Sequence, residues 1–401
     1  MKIYEYFKDE EKRTAKLFGF PIMEQTADYM TAERHQSFLG GLVKTIKLYD
    51  QYTEHTKKEI KVFGKSVIKR VEENNYRNYY FLGLKYRSIS LFDEFRKKYF
   101  KCFDKKHDDI YILNANSGEI YLTLTYLIQA LIKKNGSKCP LLIATHKYHI
   151  DMIKMICPDI PYVYIHKYRL KFCDSSFKID NFRFFLLYPI THFKQVEMDI
   201  KTHEIGRCHY FKFILNRLGI TENDIQMNKA VVLPEAEQSM LEKVKKTGLN
   251  LDKFVFLAPE AQSCKLYDED FWVLLINKFQ EKGFDVFVNL VEDEIKLKDA
   301  VNYKKCYLTF AEAFALAKRA KKIVSLRSGF TEFLLQAGVP MDVLYTKFKH
   351  RHFFDDMDIS HVISGFDLSK IPYVDKSKIQ VFNMFETSQK ECLDKIMEIK
   401  N

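Results

Sequence analysis

From residue 108 onward, short apolar runs alternate with stretches whose apolar residues recur every three to four positions, the pattern of strands feeding helices. Asp109-Ile-Tyr-Ile-Leu-Asn114 reads as a strand, Ala115-Asn-Ser-Gly-Glu119 as a tight turn, and Ile120–Lys134 as a helix with apolar positions 120, 124, 127, 128 and 131. Leu141-Leu-Ile-Ala144 is the next strand and His149–Cys157 the next helix, stopped by Pro158. Strands are expected again at Tyr162–Ile165 and Phe184–Tyr188, and His203–Leu218 reads as a helix closed by Gly219. The alternation resumes with strand Phe254–Pro259, helix Asp270–Glu281, strands Asp285–Leu290 and Lys322–Leu326, and helix Thr331–Ala337. Strand and helix in strict alternation predict parallel sheets covered by helices. The fold class is therefore α/β, with two Rossmann-like, doubly wound halves joined near residues 229–252 and facing a cleft.

The first hundred residues follow another rhythm. Phe18-Gly19, Phe38-Leu39-Gly40, Phe63-Gly64 and Phe81-Leu82-Gly83 recur about every twenty residues, several before an alternating apolar and basic stretch such as Lys65-Ser-Val-Ile-Lys-Arg70. Hairpins with glycine at the turn fit that spacing. Thr31–Asp50 and Ser90–Phe100 have helix-compatible spacing, so a mixed N-terminal appendage is expected. The domain plan is 1–104 for this appendage, 105–230 for a first Rossmann-like half, 231–382 for a second Rossmann-like half, and 383–401 for a closing segment.

Composition narrows the setting. The chain of 401 residues has material for two cores, lacks any run of 18 apolar residues, and starts without a signal-peptide pattern, so a cytoplasmic protein is expected. Cysteines 102, 139, 157, 173, 208, 264, 306 and 392 form no Cys-x-x-Cys pair, which leaves neither a disulfide framework nor a zinc motif. The formal charge of +11 is concentrated. Between Lys61 and Lys101 stand 11 Lys/Arg against 4 Asp/Glu, interleaved with 10 aromatics. Such a segment suits an anionic inner-membrane surface, and equally a solvated basic face over a buried aromatic side. Nucleic-acid binding is the third reading, but no helix-turn-helix, zinc-finger or RNP-type signature accompanies the charge.

Anions bind where strand ends feed helix starts, because unpaired N–H groups and the helix dipole face the ligand. The turn Glu260-Ala-Gln-Ser-Cys-Lys265, the acidic loop Glu292-Asp293-Glu294 and Arg327-Ser328-Gly329 all occupy such positions. Neither Gly-x-Gly-x-x-Gly after the first strand, nor a P-loop, nor Gly-x-Ser-x-Gly occurs, which argues against a dinucleotide oxidoreductase, a P-loop NTPase and an α/β-hydrolase. His146 and His149 share one helical face, without an identifiable third metal ligand.

Three segments resemble the GT-B glycosyltransferases, and among them the bacterial heptosyltransferase-like family. Tyr111-Ile-Leu-Asn-Ala-Asn-Ser-Gly-Glu-Ile120 is similar to the family's opening strand and turn, where a Gly-Asp pair supplies the catalytic base. Ala258-Pro-Glu-Ala-Gln-Ser-Cys-Lys265 resembles its donor loop, whose lysine contacts donor phosphate, and Ile323–Glu332 with Leu334–Pro340 resembles its Asp-Ser-Gly-x-x-His motif and following helix. The resemblance spans roughly residues 108–345. Glu119 stands for the family's aspartate, Arg327 for the aspartate of the Ser-Gly motif, and Glu332 for its histidine.

The resemblance implies a metal-independent, inverting transfer of a sugar from a nucleotide-diphosphate sugar to a lipopolysaccharide-type or other surface-glycan acceptor. Glu119 would be the base. Gln262, Ser263, Lys265, Arg327, Ser328, Gly329, Phe330, Thr331 and Glu332 would hold the donor, with Glu292 or Asp293 on a ribose hydroxyl. No cofactor beyond the donor substrate is expected. The resemblance also implies that the amphipathic stretch Thr387–Ile399 returns to the N-terminal half. The substitutions at 119, 327 and 332 keep a second class open, a non-catalytic nucleotide- or glycan-binding protein on the same fold.

Overall fold

A computed structural model describes residues 4–8, 12–17, 20–28, 33–38, 43–48, 56–62, 65–73, 76–99, 107–166, 170, 177–179, 182–186, 209–261, 264–290, 297, 302–346 and 359–398. They fall into two compact units, the first built from Met1–His107 and Ile165–Gln195, the second from Asp108–Tyr164 and Val196–Asn401. This division differs from the sequence plan in two ways. Residues 165–195 group with the N-terminal segment, and both α/β halves belong to one unit.

The first unit contains strands β1 (Tyr4–Lys8), β2 (Lys12–Leu17), β3 (Phe20–Asp28), β4 (Glu33–Phe38), β5 (Val43–Leu48), β6 (Thr56–Val62), β7 (Lys65–Glu73), β8 (Tyr76–Phe81) and β9 (Leu84–Ser90), which form one sheet in chain order. Each pairs antiparallel with the next, as hairpin connections require. The helix expected over Thr31–Asp50 is absent: β4 and β5 occupy its place, with Phe38 opposite Val43 and Glu33 opposite Leu48. β3 and β6 flank them and satisfy their backbone groups, an arrangement that overrides weak helical spacing. The expected helix near residues 90–100 is present as α1 (Leu91–Tyr99), which buries Leu91 and Phe95.

The second unit opens with β10 (Asp109–Leu113), α2 (Ser117–Leu122), a π-helical turn Thr123–Leu127, α3 (Ile128–Asn135), β11 (Leu141–Ala144), α4 (Lys147–Ile156) and β12 (Tyr162–Tyr164). Gly136, at φ 64°, ends α3, since the left-handed cap costs glycine no Cβ clash. β10 pairs parallel with β11 and β11 with β12. The chain then enters the first unit, where β13 (Phe177–Ile179) and β14 (Phe182–Leu186) make a short antiparallel hairpin and Phe184 meets Phe95 edge-on at 6.4 Å.

Back in the second unit come α5 (Tyr210–Leu218), α6 (Pro234–Lys245), β15 (Phe254–Ala258), α7 (Glu269–Glu281), β16 (Asp285–Val288), α8 (Phe310–Ala317), β17 (Lys322–Leu326), α9 (Gly329–Leu334), β18 (Met341–Tyr345), α10 (Ile359–Phe366), β19 (Ile379–Asn383) and α11 (Gln389–Ile396). The second sheet has the order β16-β15-β17-β18-β19, and all its pairs are parallel. Every residue of β15, β17 and β18 is buried, as expected of a parallel sheet covered on both faces. Even Lys322 is enclosed, paired with Asp342 at 2.6 Å and donating to the carbonyl of Ile396 at 2.5 Å.

The closing helix differs from expectation. α11 lays Cys392, Leu393 and Ile396 into the apolar cluster of Val255, Trp272 and Phe279, so it covers the second sheet and does not return to the first. Its carbonyl end explains the choice, because Lys322 and Lys282 cap Ile396 and Met397.

Candidate functional site

The strand order of the second sheet fixes where a ligand site forms. From β15 the chain moves outward to β16 on one side and then crosses to β17 on the other, so the turns after β15 and β17 diverge at a topological switch point. Open α/β sheets bind ligands outside the carboxyl ends of their strands at such a point. Lys265 follows β15, and Arg327-Ser328-Gly329 follows β17. Ser328 caps α9, its hydroxyl accepting from Thr331 N at 3.2 Å.

The same turn meets the first half of the unit. A Cβ on Gly329 would collide with Ser117 Oγ and lie 2.5 Å from the backbone nitrogen of Gly118, and a Cβ on Gly118 would collide with the Glu332 carboxylate. The starts of α2 and α9 therefore touch backbone to backbone, and only glycines permit that approach. Ring contacts extend the junction: Tyr121 meets Phe333 edge-on at 6.0 Å, and Tyr148 stacks on Phe310 at 6.2 Å. Gln336 ties it together, accepting from Ala230 N at 2.8 Å while donating to Asn228 O at 3.0 Å and Thr125 Oγ1 at 3.3 Å.

Three charged groups gather there. Arg327 Nη2 donates to Glu332 Oε1 at 2.5 Å, with both side chains almost wholly enclosed. Glu119, half-buried at the start of α2, feels the charge of Arg327 and is hydrogen-bonded by Tyr210. Burial raises the Glu119 carboxyl above the ordinary range, and backbone hydrogen bonds at Glu119 and Asn116, with Arg327 and Tyr210, only partly oppose it. Burial also pushes Glu332 up to about 7, with Arg327 opposing and Glu119 adding to the rise. Burial disfavours the charge on Arg327, but Glu332, Cys264, Tyr345 and Glu119 together outweigh it and hold the guanidinium protonated. Two carboxyls and one guanidinium thus share a largely enclosed junction, where each one's charge bears on the protonation of the others.

The expected residues do not all converge. Glu119, Arg327, Ser328, Gly329 and Glu332 come together. Thr331 is nearby but fully buried, its hydroxyl donating to Leu326 O at 2.7 Å and bonded to Ser325 at 2.7 Å, so it braces the turn. Phe330 packs edge-on against Phe310 at 5.2 Å. Lys265 is half-buried, and its carbonyl accepts from Thr346 Oγ1 at 2.6 Å, which ties the turn after β15 to the end of β18. Gln262, Ser263, Glu292 and Asp293 lie outside the described residues.

Several neighbours carried no sequence signal. Tyr148 is raised to about 12 by burial and by Glu119. His209 is lowered to about 4 by burial; its Nδ1 accepts from Phe211 N at 3.2 Å, and its Nε2 lies 2.9 Å from the carbonyl of Asp367. Arg327 lies 5.2 Å from the ring centre of Phe366. These partners come from distant parts of the chain, and only the fold brings them to the junction. Among the described residues, no group of three His, Cys, Asp or Glu side chains is placed to share a metal, and no helix is long and apolar enough to cross a membrane.

No family profile matches the chain, and no curated protein matches it in sequence. Solved structures do resemble it. A glycosyl transferase family 9 protein from Veillonella parvula aligns at TM-score 0.45 and 11% identity, over 74% of this chain and 93% of that one. The ADP-heptose lipopolysaccharide heptosyltransferase II of E. coli aligns at 0.42 and 9%, over 72% and 96%. The E. coli heptosyltransferase WaaC with ADP aligns at 0.38 and 11%, over 68% and 92%. Likenesses this distant carry no inference about activity.

Proposed function

We propose that the chain is a glycosyltransferase, moving a sugar from a nucleotide-diphosphate donor to a glycan or glycolipid acceptor. The observation behind this reading is the meeting of Glu119, from the first sheet's opening helix, with Arg327 at the switch point of the second sheet. As the acceptor oxygen bonds to the anomeric carbon, the bond from that carbon to the diphosphate oxygen breaks and the nucleoside diphosphate leaves, and charge growing on the departing oxygen needs a fixed positive partner. Lys265 and Arg327 supply it from the second half, with no divalent metal in the scheme. The attacking hydroxyl must lose a proton, and Glu119 receives it; a carboxylate raised by burial is a stronger base than an exposed one. Attack opposite the leaving group inverts the anomeric centre. Glu292 or Asp293 holds a ribose hydroxyl. The acceptor is a lipopolysaccharide-type or other surface glycan presented at an anionic membrane surface.

One observation favours a second reading. Arg327 is already hydrogen-bonded to Glu332, and Thr331 is committed internally, an arrangement that suits a protein holding a nucleotide or glycan without reacting it. Glu119→Gln separates the two. Under the transfer reading the variant keeps thermal stabilisation by nucleoside diphosphates but loses donor turnover by a factor of roughly 100 or more. Wild-type protein that is stabilised by these ligands yet turns over no donor supports the binding reading instead.

A further inference from the structure

The turn between β8 and β9 exposes an apolar tip that the fold does not use. Leu84 is 76% exposed, Leu82 63%, Tyr86 62% and Phe81 53%. Leu82 has φ 46° and Gly83 φ 84°, so an aliphatic side chain occupies a left-handed turn position where asparagine or glycine is easier to place. Leu82 N donates to Val67 O at 2.9 Å, which closes the tip onto β7.

Strand register orders the surroundings. Ile68, Phe81 and Leu84 lie side by side on one face; the next rung, on the opposite face, is Lys69, Tyr80 and Lys85. Beyond it Arg70 and Arg87 flank Tyr79. Neither 65–71 nor 76–90 contains a carboxylate. Arg77 is engaged by Glu94 at 2.7 Å, whereas Lys65, Lys85 and Arg87 are exposed. An apolar point within a basic collar matches a surface that is anionic outside and oily beneath.

We propose that this hairpin docks the protein on an anionic lipid bilayer, Phe81, Leu82 and Leu84 entering the headgroup boundary while Lys65, Lys69, Lys85 and Arg87 meet lipid phosphates. Nucleic acid fits less well. Single strands stack bases on rows of aromatic faces, but the most exposed side chains at the tip, Leu84 and Leu82, are aliphatic, and cations lie over Tyr80 and Tyr79 at 5.3 and 5.8 Å. The proposal rests on the membrane part of the reading above and is independent of the transfer chemistry.

The test is sedimentation of the full chain with vesicles of phosphatidylcholine alone or mixed with phosphatidylglycerol. Wild type is expected to pellet with the mixed vesicles only, and less so as salt rises. Lys69→Gln with Lys85→Gln should weaken binding by about fivefold per charge. Leu82→Asn with Leu84→Thr, which suits the turn and the strand, should weaken it by roughly tenfold or more, with an unchanged circular dichroism spectrum. In Phe81→Trp, tip fluorescence should shift to the blue on mixed vesicles. Wild type that ignores anionic vesicles, a Leu82/Leu84 variant that binds like wild type, or a tip that serves only self-association or oligonucleotide binding would overturn the proposal. Stabilisation by nucleoside diphosphates should persist in the tip variant, so loss of lipid binding alone leaves the transfer reading standing.

Discussion

Replacing Glu332 by glutamine should make the second unit more stable at alkaline pH, although it removes a buried ion pair. Burial lifts the Glu332 carboxyl from 4.5 to about 7. Below pH 4.5 the group is protonated in both folded and unfolded chains and does not affect their balance. As pH rises from there to about 7 only the unfolded chain releases the proton, so stability falls; above that range the loss is complete and amounts to about 3 kcal/mol. Glutamine has the shape of the protonated acid and can still accept from Arg327. The variant should therefore match wild type within about 1 kcal/mol near pH 5 and exceed it by about 3 kcal/mol near pH 8. Urea unfolding followed by Trp272 measures this cleanly, since it is the sole tryptophan and lies wholly buried in the second unit. A variant that is less stable by 3–5 kcal/mol near pH 8, roughly the cost of breaking a buried pair, would refute the reasoning and show that Arg327 outweighs desolvation.

Two further predictions concern packing. Gly329→Ala forces a Cβ against the backbone of Gly118, which cannot swing aside, and should cost about 2 kcal/mol in urea unfolding despite alanine's better helix propensity. Lys322→Met strands the enclosed carboxyl of Asp342, which burial already raises to about 6, and should cost about 3–5 kcal/mol; adding Asp342→Leu should recover most of that loss.

Three strands of the second sheet, β15, β16 and β17, were legible because each is a short apolar run bounded by turn residues: Lys322–Leu326 matches its expected limits, and Phe254–Pro259 exceeds its strand by one residue. The helix expected over Thr31–Asp50 failed because Val43-Lys-Thr-Ile-Lys-Leu48 has apolar positions compatible with either period, and pairing with β4 and β6 decides between them. The turn at Ser117–Glu119 and that at Arg327–Glu332 were each visible as strand ends. Their mutual contact was not, since nothing local shows that Gly118 and Gly329 must be bare for the same reason. The partner of α11 was equally hidden: an amphipathic stretch shows that a face is buried, and the amines of Lys282 and Lys322, far away in sequence, select against what.

The interleaved order of the two units shapes how the protein can be made and cut. Phe184, which closes on Phe95, is synthesised only after β10, β11 and β12, so a ribosome releases the start of the second unit before the first can be completed. Severing the chain at residue 107 would leave Ile165–Gln195 on one fragment and Phe95, the aromatic neighbour of Phe184, on the other. The N-terminal region is thus no detachable accessory: a cut at residue 107 should yield two pieces that stay associated for as long as Phe95 and Phe184 remain packed.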